Sequence, residues 1–176
     1  MKDRPKPTRA TVLHAVTEEI LVRKDGQIPT DIEGIDTFFN GTEDLADALL
    51  LRWHTLLTAS LERSLVGDPH HREEAVIEAW RHASSLYWGV RRVIDELAEN
   101  PPSDEVAHAV RATLHNDWAA MAVAAGLASG FDDTAVRMGH RLELEARRRA
   151  PAPPDTAVTP HAPRSALGRL KEMLTG

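Results

Sequence analysis

Along most of this chain apolar residues recur every three or four positions, the repeat of a helix that buries one face. Over residues 9–23 the pattern is carried by Val12, Leu13, Val16, Ile20 and Leu21, and Gly26 offers a stop. A competing reading makes residues 20–23 a strand that turns at Asp25-Gly26 into Gln27 and Ile28, because Asp-Gly is a hairpin signal. Pro29 weakens the return strand and an isolated hairpin is marginal, so a helix is expected. Thr30, Asp31, Ile32 and Glu33 have the form of a capping box and predict a turn or short helix over 30–39, ended by Asn40-Gly41.

Thr42 is then the expected cap of a first long helix, with Glu43 and Asp44 at its positive end. Its stripe holds Leu45, Leu49, Trp53, Leu56 and Ser60, and Gly67-Asp68-Pro69 should stop it. A second long helix is expected over 71–99, with Val76, Ala79, Trp80, Ala83, Leu86, Val90, Val93, Ile94 and Leu97 on one face. Asn100-Pro101-Pro102 breaks it. Ser103 starts a third helix that continues through Val106, Val110, Leu114, Trp118 and Met121 to Gly130. Asp132 caps a fourth, through Ala135, Met138, Leu142 and Ala146, ending in Arg147, Arg148 and Arg149. Four amphipathic helices with short connections predict an all-α fold, an antiparallel four-helix bundle with an N-terminal helical extension.

The expected organisation is a disordered stretch at 1–8, a helical domain over 9–150, a linker over 151–164 and a short amphipathic segment at 165–176. Five prolines fall in residues 151–163, which predicts a flexible, semi-extended tail. Beyond it Leu167, Leu170 and Leu174 share one face of a short helix.

Composition narrows this only slightly. Hydrophobic residues make up 42% and charged residues 27% of 176, ordinary globular values that argue against disorder throughout. There is no cysteine, which removes disulfides, thiolate metal sites and cysteine nucleophiles, and suits a reducing cytosol. A cytoplasmic location is therefore the expectation. The charged, Pro-containing N-terminus lacks an apolar stretch behind it, and the longest uncharged run, 118–131, is too short for a membrane span. A net charge of −6 argues against nucleic acid as a partner. Seventeen Arg against four Lys fits a GC-rich bacterial genome rather than a chemistry.

Candidate chemistry is sparse. His54, His82 and His140 lie on stripe edges of three helices and form the candidate metal or haem set, in which a bundle would bring imidazoles to one level. A dimetal carboxylate site fails, because Glu105-x-x-His108 is the one pair of the required form and lies in a first turn. His115, followed by Asn116 and Asp117, points away from its stripe. Asp117 faces inward, and a buried carboxylate needs a partner; Arg52 and Arg81, both inside apolar stretches, are the expected ones. Asp117, Arg52 and Arg81 are thus the candidate small-ligand pocket. No phosphate-binding loop or nucleophile elbow is present.

Two function classes remain. The leading expectation is a non-enzymatic interaction or adaptor protein with no cofactor. Its partner would be a protein bound through the C-terminal row Leu167, Leu170 and Leu174, or through the small-residue face of the third long helix. That region holds Ala119, Ala120, Ala122, Ala124, Ala125, Gly126, Ala128 and Ser129 and would equally suit a homodimer seam or tight packing within the bundle. The alternative is a metal-, haem- or small-ligand-binding bundle, with oxidoreductase chemistry at the histidines.

Overall fold

A computed structural model describes residues 6–66 and 69–149, which form seven α-helices and one 3-10 turn, with no strand among the described residues. The helices are α1 (Arg9–Arg23), α2 (Ile35–Phe38), α3 (Gly41–Ser64), α4 (Arg72–Leu86), α5 (Trp88–Glu99), α6 (Asp104–Ala124) and α7 (Asp133–Arg149). No helix among the described residues is long and apolar enough to cross a membrane. The linker and the segment carrying Leu167, Leu170 and Leu174 lie outside the described residues, as do residues 1–5 and 67–68.

Helix starts follow local chemistry. Thr8 accepts from the Thr11 amide, and the Thr11 hydroxyl receives the Thr8 amide in return, which satisfies two of the donors a helix start leaves open. Ser103 caps α6 through the Val106 amide, and Asp132 accepts from Ala135 at 2.8 Å. The first long helix departs from expectation: it begins at Gly41, and Asn40 precedes it with its own amide bound to Asp44 at 3.0 Å. The capping box at Thr30 does not form, and only Ile35–Phe38 is helical there. The 20–28 region is helix to Arg23, closed by Lys24 in the left-handed region. Helix α6 stops at Ala124, short of Gly130, because Gly126 at φ 75 lets the amides of Gly126 and Leu127 bond back to Val123 and Ala122.

The second expected helix is two. It breaks at Tyr87 (φ −119, ψ 40), where α4 ends and α5 begins. Two residues on, Gly89 lies so close to α1 that a Cβ there would meet the Ile20 carbonyl oxygen at 2.6 Å. Packing of α5 on α1 thus sets the redirection. Helices α3, α4, α7 and α6 contact one another in a closed ring, α3 on α4 and α6, α7 on the same two, while α5 joins α1 to α6. The fold is all-helical, with two large indoles at its centre: Trp53 and Trp80 pack edge to face, 6.3 Å apart, both essentially inaccessible. Burying such a side chain contributes on the order of 2–3 kcal/mol.

The small-residue face of α6 is used within the chain. Ala119 and Ala122 are buried against Ala135 of α7, and Gly139 approaches so closely that a Cβ would lie 1.7 Å from the Trp118 carbonyl oxygen. Ala119 and Ala122 therefore serve internal packing against α7.

Candidate functional site

Five polar or charged residues are buried among the described ones, and three of them belong to two linked clusters between α3, α5, α6 and α7. In the first, Asp117 is 2% exposed, as its inward position on α6 required. Its Oδ2 accepts from the Trp53 indole at 3.0 Å, and its Oδ1 lies 2.5 Å from Nδ1 of His54. Burial pushes the Asp117 carboxyl above the usual carboxylate range, while His54, Arg91 and Trp53 act in the opposite direction. The carboxylate in turn raises His54 above its ordinary value, against the partial burial of the ring.

The expected partners of Asp117 are elsewhere. Arg52 donates to the Tyr87 hydroxyl at 3.3 Å, and Arg81 pairs with Glu78 on its own helix. The reason is rotation of α3: Trp53 and His54 both turn toward α6, so their neighbour Arg52 is carried round toward the α4–α5 junction. The triad of Asp117, Arg52 and Arg81 is thus not a single site.

The second cluster was not singled out from the sequence. Arg91, 4% exposed, donates to Glu143 at 2.8 Å and reaches Asp95, one turn on, at 3.0 Å. Arg147 binds the same two carboxylates from α7, at 2.7 Å and 2.8 Å. Two cations and two anions therefore close a ring with no net charge. The second oxygen of Glu143 accepts from the Trp118 indole at 2.7 Å. The Arg91 guanidinium lies 5.0 Å from the Trp53 ring centroid and 5.6 Å from that of Trp80, and Arg147 lies 5.1 Å over Trp80. Coulomb attraction in this interior is weakly screened, so the pairs hold Asp95 below its ordinary range despite burial, and Arg147 above its own. One signal for the cluster was available: Arg91 and Glu143 each interrupt an apolar run at a core-facing position.

The candidate metal histidines are not brought together. His54 is committed at Nδ1 to Asp117, His82 is exposed on α4, and His140 stacks on Trp118 with centroids 4.5 Å apart. His115, exposed as expected, takes the other neighbouring position on Trp118 at 5.6 Å. Among the described residues no group of three His, Asp or Glu is placed to hold a metal ion. His54 and Asp117 make a dyad whose imidazole is partly exposed, but none of the described hydroxyls hydrogen-bonds the His54 ring as a nucleophile would.

A different feature lies on the surface. A groove of about 530 Å³ runs between α4 and α7. Ile77, Leu142, Met138 and Leu127 provide its apolar lining, and Glu73 and Glu74 come from α4. From α7 come Arg141, Leu144, Glu145, Arg148 and Arg149. Arg149 spans the groove to Glu74 at 2.6 Å and also binds Glu145, which pairs with Arg148 as well. Glu73 and Arg141 form no ion pair with another described residue. Leu144 remains 47% exposed.

The chain matches no family model, no curated protein and no solved structure.

Proposed function

We propose that this chain is a non-enzymatic protein-interaction module that docks an amphipathic helix in the groove between α4 and α7. The observation that carries this reading is the α7 lip, where Arg141, Leu144 and Arg148 follow at i, i+3 and i+7 over an apolar floor. A lone exposed leucine needs no explanation. A leucine between two arginines at the edge of an apolar concavity has the composition of an interface hot spot.

The wall from Met138 to Arg149 is ~16 Å long, room for about three helical turns. Charge specifies the occupant further. Glu73 on one side and Arg141 on the other have charge to offer. The fitting helix has an apolar row, a basic flank toward α4 and an acidic flank toward α7.

The test is selection from a displayed library of helical peptides on the immobilised full-length chain. A second bait carries Leu167, Leu170 and Leu174 all changed to Asp, so that the chain's own apolar row cannot compete. Enriched peptides should share the row and the two flanks, and should lose binding to Leu144→Glu while its unfolding midpoint stays put. Peptides that bind Leu144→Glu equally well, or no enrichment on either bait, would overturn the reading.

A further inference from the structure

We infer that the resident occupant of the α4–α7 groove is residues 165–176 of the same chain, so that a partner helix enters only by displacing them. The inference rests on the reading of the groove as a helix-docking surface and adds how access to it is controlled.

Helix α7 ends at Arg149, itself a groove residue, so residue 150 starts at the groove's edge. The fifteen residues 150–164 would span ~46 Å if fully extended as polyproline helix, and ~20 Å as a flexible coil. Either reach exceeds the ~16 Å length of the groove, so the segment beyond can return to any point along it. A tether of this length holds its end at an effective concentration of order millimolar, which turns even a weak contact into a populated one.

The segment also has the right pattern. Leu167, Leu170 and Leu174 form a row at i, i+3 and i+7, ~10 Å long on a helix. That is the spacing of Arg141, Leu144 and Arg148 on the lip it would lie against. At about 100° per residue, Lys171 falls on one flank of the row. Laid along the groove with that flank toward α4, the segment sets Lys171 against Glu73, the α4 acid of the groove that forms no ion pair with another described residue. The other flank holds Ala166 and Met173 and gives nothing to Arg141. A partner helix with acids there gains contacts the resident segment lacks, and this difference lets it displace the segment.

The chain has no cysteine, so a single introduced pair reads proximity cleanly. Full-length protein with Leu144→Cys and Leu170→Cys is oxidised mildly beside a control with Val22→Cys and Leu170→Cys, Val22 being exposed on α1, which packs on α2, α3 and α5. The expected result is an intramolecular disulfide that forms at least about tenfold faster in the first pair. Equal rates, or no disulfide in the first pair, overturn the inference, and a disulfide-linked dimer reassigns the groove to a second copy. Affinity for a groove-selected peptide then separates this inference from the reading beneath it. A chain with Leu167, Leu170 and Leu174 changed to Asp should bind on the order of tenfold tighter than the unaltered chain, as removal of a nine-tenths occupied competitor requires. Equal affinities remove the resident segment and leave the docking groove standing; binding by neither chain removes both.

Discussion

The guanidinium of Arg91 meets the carboxylate of Glu143 at 2.8 Å inside the protein, each residue 4% exposed, with the rings of Trp53, Trp80 and Trp118 around them. Removing two ions from water costs several kcal/mol each, and their attraction repays this only when further hydrogen bonds complete the geometry. Here Arg147, Asp95 and the Trp118 indole supply such bonds, while Nη1 of Arg91 is buried without a partner among the described residues. The pair joins α5 to α7, helices that meet only after the chain redirects at Tyr87.

Taking away one member should therefore cost far more than taking away both. Glu143→Gln leaves Arg91 and Arg147 with less compensating charge and should lower the unfolding free energy by about 3–5 kcal/mol. Arg91→Met with Glu143→Leu should cost clearly less than the sum of the two single changes. Urea unfolding of the four chains measures the coupling. Single changes that each cost under about 1 kcal/mol would show the ring to be energetically idle.

What the sequence revealed, and what it hid, divides by range. The starts at Ser103 and Asp132 were legible because a cap is a bond across three residues, whereas the Thr8 cap was missed because residues 1–8 read as a disordered stretch. The inward face of Asp117 was legible because one helix's stripe defines it. Its partner was not, since the choice between Arg52 and the adjacent Trp53 and His54 depends on how α3 is rotated against α6. The break at Tyr87 was hidden for the same reason: its cause is a carbonyl on Ile20, in a different helix. Arg91 with Asp95, and Glu143 with Arg147, read as ordinary pairs one turn apart, and only the reach of these side chains between α5 and α7, set by the packing of both helices on α6, joins them into a ring.

His54 should titrate above 6.5, because the Asp117 carboxylate at 2.5 Å stabilises the charged ring. A folded value raised above the unfolded one gives stability that is complete below about 6.5 and is lost as pH rises through the folded value. The raised Asp117 carboxyl has the same sign, starting from 3.8. The stability difference between the unaltered chain and His54→Gln should accordingly shrink as pH rises above 6.5 through the folded value of His54. In NMR titration, Asp117→Asn should bring the His54 midpoint down. A His54 midpoint at or below 6.5 in the unaltered chain would sink the assignment.

At the other end of the pH range, Arg9 holds Asp44 down at about 2 through a two-pronged contact at 2.9 Å and 2.6 Å, and also donates to the Phe38 carbonyl. A depressed carboxyl contributes stability above its unfolded value, 3.8, and loses it as pH falls toward 2. Arg9→Gln should move the Asp44 midpoint back toward 3.8. It should also speed amide exchange in α1, which Arg9 ties to α3, while leaving α7 unchanged. Unaltered exchange in α1 would mean that the buried contacts of Val12, Val16 and Ile20 suffice to dock it.

The α6–α7 crossing makes the sharpest steric prediction. A methyl group at position 139 would lie 1.7 Å from the Trp118 carbonyl oxygen and 2.6 Å from its Cα, and neither backbone atom can move aside without its helix. Helix propensity alone would favour Gly139→Ala by about 1 kcal/mol. Overpacking of about 1–3 kcal/mol or more opposes that gain, and separating the helices also strains the Trp118–Glu143 hydrogen bond. Gly139→Ala should therefore be destabilising overall and should shift tryptophan emission to the red as Trp118 loosens. Gly130→Ala is the control: nothing lies within 4 Å of a Cβ there, and loss of unfolded-state freedom should leave stability unchanged or slightly higher. If Gly139→Ala proved as stable as Gly130→Ala, α6 and α7 would have to be free to separate without loss, and the crossing that sets Glu143 against Arg91 would not be the rigid element described here.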